Sequence, residues 1–192
     1  MTRKAETSVP IHPVLSERWS PRSLDEEATV TIEDLTAMLE AARWAPSANN
    51  VQPWRFIIAR RGDENFTKIV ATLAGFNKTW APKASAFVVI VADMKHRDGS
   101  DRQISLYDSG LAAAHLSLEA HHRGYVVHQM AGFDKPLMKS EFTIADGFDP
   151  IVIMAIGTKA PLENLTDPAL LERETAPRTR LAIADLIISG SI

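Results

Sequence analysis

A wholly apolar run at residues 87–92 is the feature that most constrains the fold of this chain. It reads Phe-Val-Val-Ile-Val-Ala, and a short β-branched run with no polar face is typical of a strand that is buried on both sides. Further strands are predicted at residues 54–59 and 151–156, and residues 125–127 fit a short strand or an extended segment. The chain is therefore expected to contain a sheet.

Helices are predicted between these strands from apolar residues at helical spacing. They cover residues 13–18, 31–44, 65–73, 103–123 and 135–141. The small residues of the longest helix favour close packing against another backbone and make it a candidate dimer contact. Its apolar face is expected to consist of Ile104, Leu111, Ala114 and Leu118. Helices interleaved with a few strands indicate a single α+β or α/β domain.

The remaining segments are expected to be loops. They include residues 75–82 and the stretch with three prolines that follows Gly157, and the charged residues 93–102 are predicted to be a solvated insertion. The final residues 181–188 are too apolar to be left in solvent, so they are expected to pack against protein.

Charge and cysteine content exclude several classes of function. The formal net charge is −3 and there is no long basic run, which argues against nucleic acid or an anionic membrane surface as the main partner. The chain has no cysteine, so disulfides, thiolate catalysis and cysteine-bound metals are excluded. No apolar run is long enough to span a bilayer, and the first residues lack the pattern of a signal peptide. A soluble cytoplasmic protein is therefore expected.

Residues 18–22 have the chemistry of an anion-binding site. Arg18 and Arg22 flank Trp19, Ser20 and Pro21, and a guanidinium offers paired donors that match a phosphate or carboxylate and stay charged. Ser20 adds a neutral donor, and Pro21 disfavours helix at the residue before it. The alternative interpretation is a turn that carries two solvated arginines.

The motifs of several familiar enzymes are absent from the sequence. There is no GxGxxG, no phosphate-binding loop with GK followed by Ser or Thr, no GxSxG and no HExxH. Ser47 has no elbow glycines around it, so a nucleophilic role is not expected. His115, Glu119 and His122 share one helix face, but residues seven apart lie about 10.5 Å apart along a helix. A polar face with a Glu119 to Arg123 ion pair is therefore favoured, and no metal site is predicted.

Polar loops remain as the candidate site. They lie at residues 18–22, at residues 46–54, around Asn77 and around Gly132, and they are joined by the pair Arg178 and Arg180. Four arginines from the two chain ends have the charge to neutralise a phosphate dianion, and the hydroxyl and amide groups suit the edges of a planar ring. Sequence alone does not bring these loops together.

These loops resemble, in the same order along the chain, those of the FMN-dependent nitroreductase family. Arg18, Ser20 and Arg22 match its signature of basic, any, Ser, any, basic residues. Residues 46–54 match a more specific loop of Pro, Ser, small, any, Asn, any, Gln, Pro and Trp. The later matches are Asn77 ahead of Trp80, Asp108 with Gly110, residues 130–134, and Arg178 with Arg180.

The resemblance implies an α+β fold with a mixed sheet flanked by helices, built as an intertwined homodimer with an FMN site at each subunit interface. One domain would span residues 1–192, with an N-terminal arm at 1–12 and a C-terminal extension from about 160 to 192 that wraps the partner subunit. The implied FMN-binding residues are Arg18, Trp19, Ser20, Arg22, Pro46, Ser47, Ala48, Asn50, Gln52, Asn77, Ala131, Gly132, Arg178 and Arg180.

The resemblance also implies roles within this set. The phosphate and ribityl end of FMN would be held by Arg18, Ser20, Arg178 and Arg180, and the flavin ring by Arg22 and Asn77. Residues 46–52 would come from the other subunit, and the Gly132 backbone would face flavin N5. Some family members have an acidic residue where this chain has Ala131, so only a backbone contact is expected there.

The implied activity is two-electron transfer from NADH or NADPH through flavin N5 to a small acceptor such as a nitroaromatic, a quinone or an enone, in ping-pong order. No side chain is assigned as a nucleophile or as a catalytic acid or base. The alternatives are a reductive dehalogenase or flavin-destroying branch of the same fold, and a non-catalytic flavin-binding dimer. Phe76 and Trp80 either line the flavin face or belong to the core.

Overall fold

The computed structural model describes residues 3–190, so the outermost two positions of the predicted N-terminal arm and of the predicted C-terminal extension lie outside the described residues. Four strands form one sheet in the order β1-β2-β4-β3. They are β1 (Trp54–Arg60), β2 (Ala86–Asp93), β3 (Val126–Met130) and β4 (Phe148–Gly157). The predicted α+β class is confirmed. Within the described chain all three strand pairs are antiparallel, which differs from the mixed sheet implied by the resemblance.

Helices precede, connect and follow these strands. They are α1 (Pro13–Glu17), α2 (Ile32–Arg43), α3 (Glu64–Thr72), α4 (Asn77–Trp80), α5 (Ile104–His122), α6 (Lys135–Glu141), α7 (Pro168–Thr175) and α8 (Ile183–Leu186). In the sequence, Thr31 with Asp34 resembles a helix N-cap, and the start of α2 agrees with this signal, because the Thr31 hydroxyl oxygen accepts a hydrogen bond from Asp34 N at 3.0 Å. No helix in residues 3–190 combines the length and the apolar content needed to cross a membrane.

The central strand β2 divides the core into two layers. Phe87, Val89 and Val91 face a cluster that includes residues of α3, α6 and α7, whereas Val88 and Ile90 face a cluster built with α2 and α5. Successive side chains of a strand point to opposite faces of the sheet. The fully apolar run therefore has a direct explanation, since both faces of β2 are covered.

Two predicted loops contain helices. Residues 75–82 include α4, and the proline-rich stretch after β4 includes α7. Pro168 occupies the first turn of α7, where its missing N–H costs nothing, and the Asp167 carboxylate accepts a hydrogen bond from Ala169 N at 2.8 Å. The prediction of a loop throughout this stretch was therefore wrong, because one of its prolines begins a helix.

The buried face of α5 is not the predicted one. Ile104 is 45% exposed, Ala114 is exposed, and Leu111 and Leu118 are only partly buried. The face that packs against α2 and the sheet carries small and polar residues, which let the backbones approach closely. Its buried members are Ser105, Asp108, Ser109, Ala112, Ala113, Leu116, Ser117 and Ala120.

The prediction that residues 93–102 are solvated is confirmed for residues 95–101, which are exposed, whereas Arg102 at the end of the segment is buried. The segment forms a closed turn in which Lys95 pairs with Asp101 at 2.7 Å. The apolar segment at 181–188 is exposed in the single chain, with Leu181 at 66% and Leu186 at 62%, so its packing against a partner subunit stays a prediction. Charge alone did not reveal the burial of Arg102, and apolar character alone did not identify a covering surface for the final segment.

Candidate functional site

The turn at residues 18–22 is anchored from inside the protein. It begins where α1 ends, since Arg18 is the residue that follows the helix. The Glu174 carboxylate of α7, only 1% exposed, accepts hydrogen bonds from Arg22 N at 2.9 and 3.0 Å and from Ser23 N at 3.3 Å. The same carboxylate lies 3.8 Å from the Arg22 guanidinium. The turn is therefore a fixed structure and not a freely solvated loop.

The arginines of the two chain ends form one cationic cluster. Arg178 donates to the carbonyl oxygens of Ser16 at 3.1 Å and Arg18 at 3.0 Å, and also to that of Arg3. Burial, and secondarily the charge of Arg180, lowers the pKa of Arg18. The pKa of Arg178 is likewise lowered, by burial first and then by the charges of Arg18, Arg180 and Arg3. Binding of an anion stabilises such a cluster, because the negative charge offsets the repulsion between the arginines.

Arg178 and Arg180 differ in their engagement. The guanidinium of Arg178 binds backbone carbonyls that shape the turn, as described above. Arg180 is exposed, and its one hydrogen bond in the described chain goes to the carbonyl of the neighbouring Thr179 at 2.7 Å. Of the two, Arg180 has the donors available for a ligand.

A cleft of about 430 Å³ opens beside this turn. Within it, Gln129 Nε2 donates to Ser117 Oγ at 2.9 Å, which links β3 to α5. The cleft is thus polar at the turn and where Gln129 meets Ser117, and apolar at Leu15, Ala114 and Leu118. Its lining residues are Leu15, Arg18, Ser20, Ala114, Ser117, Leu118 and Gln129.

Strand β3 connects the arginine turn to the predicted flavin-ring contacts. His128 Nδ1 lies 3.1 Å from the carbonyl oxygen of Pro21, and its ring packs against Trp80 with centroids 4.5 Å apart. Burial, as the largest cause, lowers the pKa of His128 to about 4, so the ring is neutral at physiological pH. Trp80 is 1% exposed and therefore belongs to the core, whereas Phe76 is 46% exposed.

The segment after β3 brings Asn77 and Gly132 together. Asn77 Nδ2 donates to the Gly132 carbonyl at 3.0 Å, and Ala74 N donates to the same oxygen at 3.1 Å. A Cβ atom at position 132 would lie 3.0 Å from Asn77 Nδ2, so glycine permits this close approach. Ala131 and Gly132 are both exposed, which leaves their backbone accessible to a ligand.

The amide-rich loop at residues 46–52 lies elsewhere in the chain. Ala48 N donates to the Asp108 carboxylate at 3.2 Å, near the start of α5. Ser117, which lines the cleft, is nine residues further along α5, or about 14 Å at the helical rise of 1.5 Å per residue. The remaining predicted residues, Pro46, Ser47, Asn50 and Gln52, belong to this loop and do not line the cleft.

The histidines of α5 make other contacts. His115 Nδ1 lies 3.3 Å from the Ala41 carbonyl oxygen. Glu119 accepts from Arg123 Nε at 2.7 Å, which confirms the predicted ion pair. Residues 3–190 contain no group of three or more His, Asp or Glu side chains placed to hold a metal ion.

A model of the nitroreductase family matches residues 15–158. The matched region begins in α1 and ends after β4, so it includes the arginine turn, the amide-rich loop, Asn77 and Gly132. The chain belongs to the nitroreductase family. The family assignment from sequence is therefore confirmed.

Relatives of this nitroreductase-family chain include bacterial proteins. An uncharacterised 15.4 kDa protein of Mycolicibacterium smegmatis is 35% identical over 147 residues, covering 71% of this chain and 95% of that one. YdgI of Bacillus subtilis (strain 168), which carries the provisional name NAD(P)H nitroreductase, is 28% identical over 186 residues, covering 77% and 87%.

Solved structures support the same family fold. A protein described as an oxidoreductase containing FMN superposes with a TM-score of 0.91 at 33% identity and covers 100% of this chain and 97% of that one. A protein from Exiguobacterium sibiricum 255-15, provisionally named a nitroreductase and solved in complex with FMN, gives a TM-score of 0.75 at 24% identity, with 97% and 100% coverage.

Several residues hold the turn and β3 of this nitroreductase-family site in place, and none of them was predicted from the sequence. Glu174 holds the turn, and Arg3 stacks on Trp19 with its guanidinium carbon 4.4 Å from the ring centroid. His128 and Gln129 place β3 against the turn and against α5. A single glutamate in a charged helix gives no sequence signal of this kind, because only the fold shows that it is buried.

Proposed function

We propose that this protein is an FMN-dependent oxidoreductase that passes two electrons from NADH or NADPH to a small acceptor such as a nitroaromatic, a quinone or an enone, with the donor leaving before the acceptor binds. The observation that carries the proposal is the cluster of arginines beside an open cleft, in a chain of the nitroreductase family. A phosphate dianion is the ligand that such a cluster suits best.

The donor set fits the phosphate and ribityl end of FMN. Arg18 and Ser20 line the cleft, and Arg180 lies close enough to Arg18 to lower its pKa. In this proposal Arg18, Ser20 and Arg180 bind the phosphate. Arg178 acts one step behind them, since its guanidinium fixes the carbonyl of Arg18. Trp19 packs against the guanidinium of Arg3.

The opposite end of the site fits a flavin ring. Asn77 and the backbone of Ala131 and Gly132 are exposed or partly exposed at the end of β3, and a side chain at position 132 would crowd Asn77. In this proposal the Gly132 N–H and the Asn77 amide would hold the flavin ring, with Gly132 facing its N5 side. Arg22, held by Glu174, would supply positive charge to the pyrimidine side of the ring.

FMN, when bound, supplies the hydride acceptance and donation that the protein itself lacks. The residues of this chain bind the cofactor, fix the orientation of its ring and set the charge around it. Positive charge from Arg22 favours a ring that gains negative charge, because opposite charges a few ångströms apart attract strongly in a partly buried site. No side chain is required to transfer a proton as a catalytic acid or base.

A homodimer completes the proposed site. Residues 46–52 match the family loop. They lie near the start of α5, however, whereas the cleft of their own chain lies about half the length of this helix further along. A second copy would place this loop, with Pro46, Ser47, Ala48, Asn50 and Gln52, against the flavin of the first. Exposed apolar residues on the α5 outer face and at residues 181–188 provide a surface for this association.

The test begins with the absorbance spectrum of the purified protein, which is expected to show bound FMN. The double variant Arg18→Gln/Arg180→Gln should lose the cofactor, whereas Arg60→Gln, which removes an exposed charge at the end of β1, should retain it. Circular dichroism checks that each variant is folded. Full FMN occupancy in the folded double variant would overturn the phosphate assignment.

Anaerobic titration with NADH and with NADPH then tests the electron transfer. Rapid bleaching of the flavin absorbance by either nicotinamide, followed by its return when a nitroaromatic or a quinone is added, is the expected result. A bound flavin that neither nicotinamide reduces would favour a non-catalytic flavin-binding dimer.

A further inference from the structure

Arg102 is a buried cation whose guanidinium has unpaired donors within residues 3–190. Arg102 lies just before α5 and is 8% exposed. Its Nε and Nη1 atoms have no hydrogen-bond partner among the described residues. An unpaired guanidinium in such a place is costly, because its donors have lost water without gaining acceptors. A ligand that supplies acceptors would remove this cost.

Two buried serines in the first turns of α5 also have hydroxyl groups without a hydrogen-bond partner among the described residues. The described residues contain five buried side-chain polar atoms without a partner, and four of them belong to Arg102, Ser105 and Ser109. These positions follow the spacing of one helix face. Helix α5 begins here with no side-chain cap and no acidic residue in its first turn. The N-terminus of a 19-residue helix adds a positive field at the same point.

Arg102 lines a cavity of about 580 Å³. The other lining residues are Val51, His96, Arg97, Asp98 and Ser100. The nearby carboxylates are already engaged, since Asp98 accepts from Ser100 N at 3.0 Å and from Ser100 Oγ at 2.7 Å, and Asp101 pairs with Lys95 at 2.7 Å. Two arginines therefore face the cavity against one carboxylate that has its own donors.

We propose that this cavity binds an oxyanion, the phosphate or carboxylate group of a substrate, through the Arg102 guanidinium. The position of the cavity beside Val51 suggests what this anion belongs to. Val51 belongs to the loop at residues 46–52, which the proposed function places beside the flavin of a second copy. The cavity would thus hold the charged part of a donor or acceptor whose reactive part lies over that flavin. This inference rests on the proposed function for its role, but not for the anion binding itself.

Binding of inorganic phosphate tests the site without any activity. The FMN-saturated protein is titrated with phosphate in a phosphate-free buffer and followed by calorimetry or by the ³¹P resonance. Arg102→Gln is expected to weaken binding about tenfold or more, which is the loss expected for a charge-assisted pair of hydrogen bonds. Arg97→Gln should weaken it less, and the matched charge removal Arg60→Gln should leave it unchanged.

Arg102→Lys provides a second variant in case the glutamine variant does not fold. It keeps the charge in the cavity, so it is expected to bind phosphate more weakly than the wild type but more tightly than Arg102→Gln. Equal phosphate affinity in the wild type and in either folded Arg102 variant would overturn the proposal. Because phosphate binding is measured directly, this result is independent of whether the flavin is reduced.

Kinetics distinguish the two sources of the anion. If the anion is the 2′-phosphate of the donor, Arg102→Gln lowers kcat/KM for NADPH about tenfold and leaves that for NADH unchanged. If it is a carboxylate of the acceptor, the variant lowers kcat/KM for 4-nitrobenzoate but not for 4-nitrobenzyl alcohol. An equal decrease for charged and neutral substrates would contradict an anion site and indicate a structural role for Arg102.

Discussion

Glu174 shows how one buried carboxylate can organise a site that it does not enter. It binds the backbone of Arg22 and Ser23 and lies beside the Arg22 guanidinium, so it fixes both the shape of the turn and the position of its second cation. The same carboxylate offsets part of the Arg22 charge. It acts as a positioning residue in the proposed function.

Glu174→Gln is expected to lower the free energy of unfolding by about 2 kcal/mol, because buried backbone donors lose a charged acceptor. FMN should also bind more weakly, since the turn is no longer held in one geometry. Urea denaturation and fluorimetric FMN titration measure the two effects. The control is Glu172→Gln, an exposed glutamate on the same helix, and equal stability of the two variants would contradict the role of Glu174.

His128 predicts a dependence of stability on pH. Its pKa is about 4 in the folded protein, below the 6.5 of the unfolded chain, so between these values the unfolded state binds more protons. Stability is then full above pH 6.5 and decreases as the pH falls toward 4. The loss between pH 7.5 and 5 should be about 2 kcal/mol from this residue.

His128→Gln removes this titration. Urea denaturation at the two pH values is expected to show a smaller acid loss in the variant than in the wild type, even if the variant is less stable at both. An unchanged difference between the two pH values would mean that other groups cause the acid sensitivity.

At the level of elements, helix α7 matters because it carries Glu174. Its start depends on Asp167, which accepts hydrogen bonds from Ala169 N at 2.8 Å and Leu170 N at 3.4 Å. Asp167→Ala is expected to cost about 1 kcal/mol of stability through loss of the cap. Because Glu174 lies in this helix, FMN affinity should also decrease.

Asp167→Ser is the matched variant, since a serine hydroxyl also caps helices. It should recover most of the stability and of the FMN affinity that Asp167→Ala loses, as measured by thermal denaturation and flavin fluorescence. A loss of the same size in both variants would show that the cap is not what matters at this position.

Long periodic elements could be predicted from the sequence, and short or special ones could not. The apolar run of β2 and the Thr31 cap of α2 carry local signals, and both were found. Helix α4 has only four residues and therefore no periodic pattern. Helix α7 carries a start signal in Asp167 and Pro168, but the prolines of this stretch were interpreted as loop residues. The buried face of α5 was missed because its packing depends on small side chains and not on large apolar ones.

At the level of the whole molecule, the two chain ends expose a contiguous apolar surface. The N-terminal arm and the C-terminal segment line one groove of about 900 Å³, and Val9, Ile11, Leu181, Ile183 and Leu186 are among its walls. Most of these side chains are about half exposed or more. Contiguous apolar surface of this kind marks an interaction site, which agrees with the proposed homodimer.

The protein is expected to have twice the chain mass in solution. Leu186→Glu places a charge on this surface and should shift the protein toward the monomer, with loss of FMN because the loop from the second copy is removed. Thr67→Glu on the exposed side of α3 is the control. Light scattering coupled to size exclusion measures the mass, and a monomeric wild type would contradict the prediction.

The candidate site could be predicted as a set of residues but not as an arrangement. The resemblance named the turn, the loop, Asn77, Gly132 and the C-terminal arginines without distances. Only the fold places Arg178 on backbone carbonyls while Arg180 remains exposed. Likewise, only the fold reveals buried polar groups such as Arg102, because burial depends on contacts between distant parts of the chain.

The backbone of the loop at residues 46–52 has a consequence for assembly. Asn49, Asn50 and Gln52 adopt positive φ angles of 51°, 54° and 52°, a left-handed conformation that asparagine tolerates and that is unusual for glutamine. Gln52 N donates to Ser47 Oγ at 3.0 Å, and Asp108 accepts from Ala48 N, so the single chain already holds this shape. A second copy would therefore meet a finished surface, and its association would be limited by diffusion and orientation and not by folding of the loop.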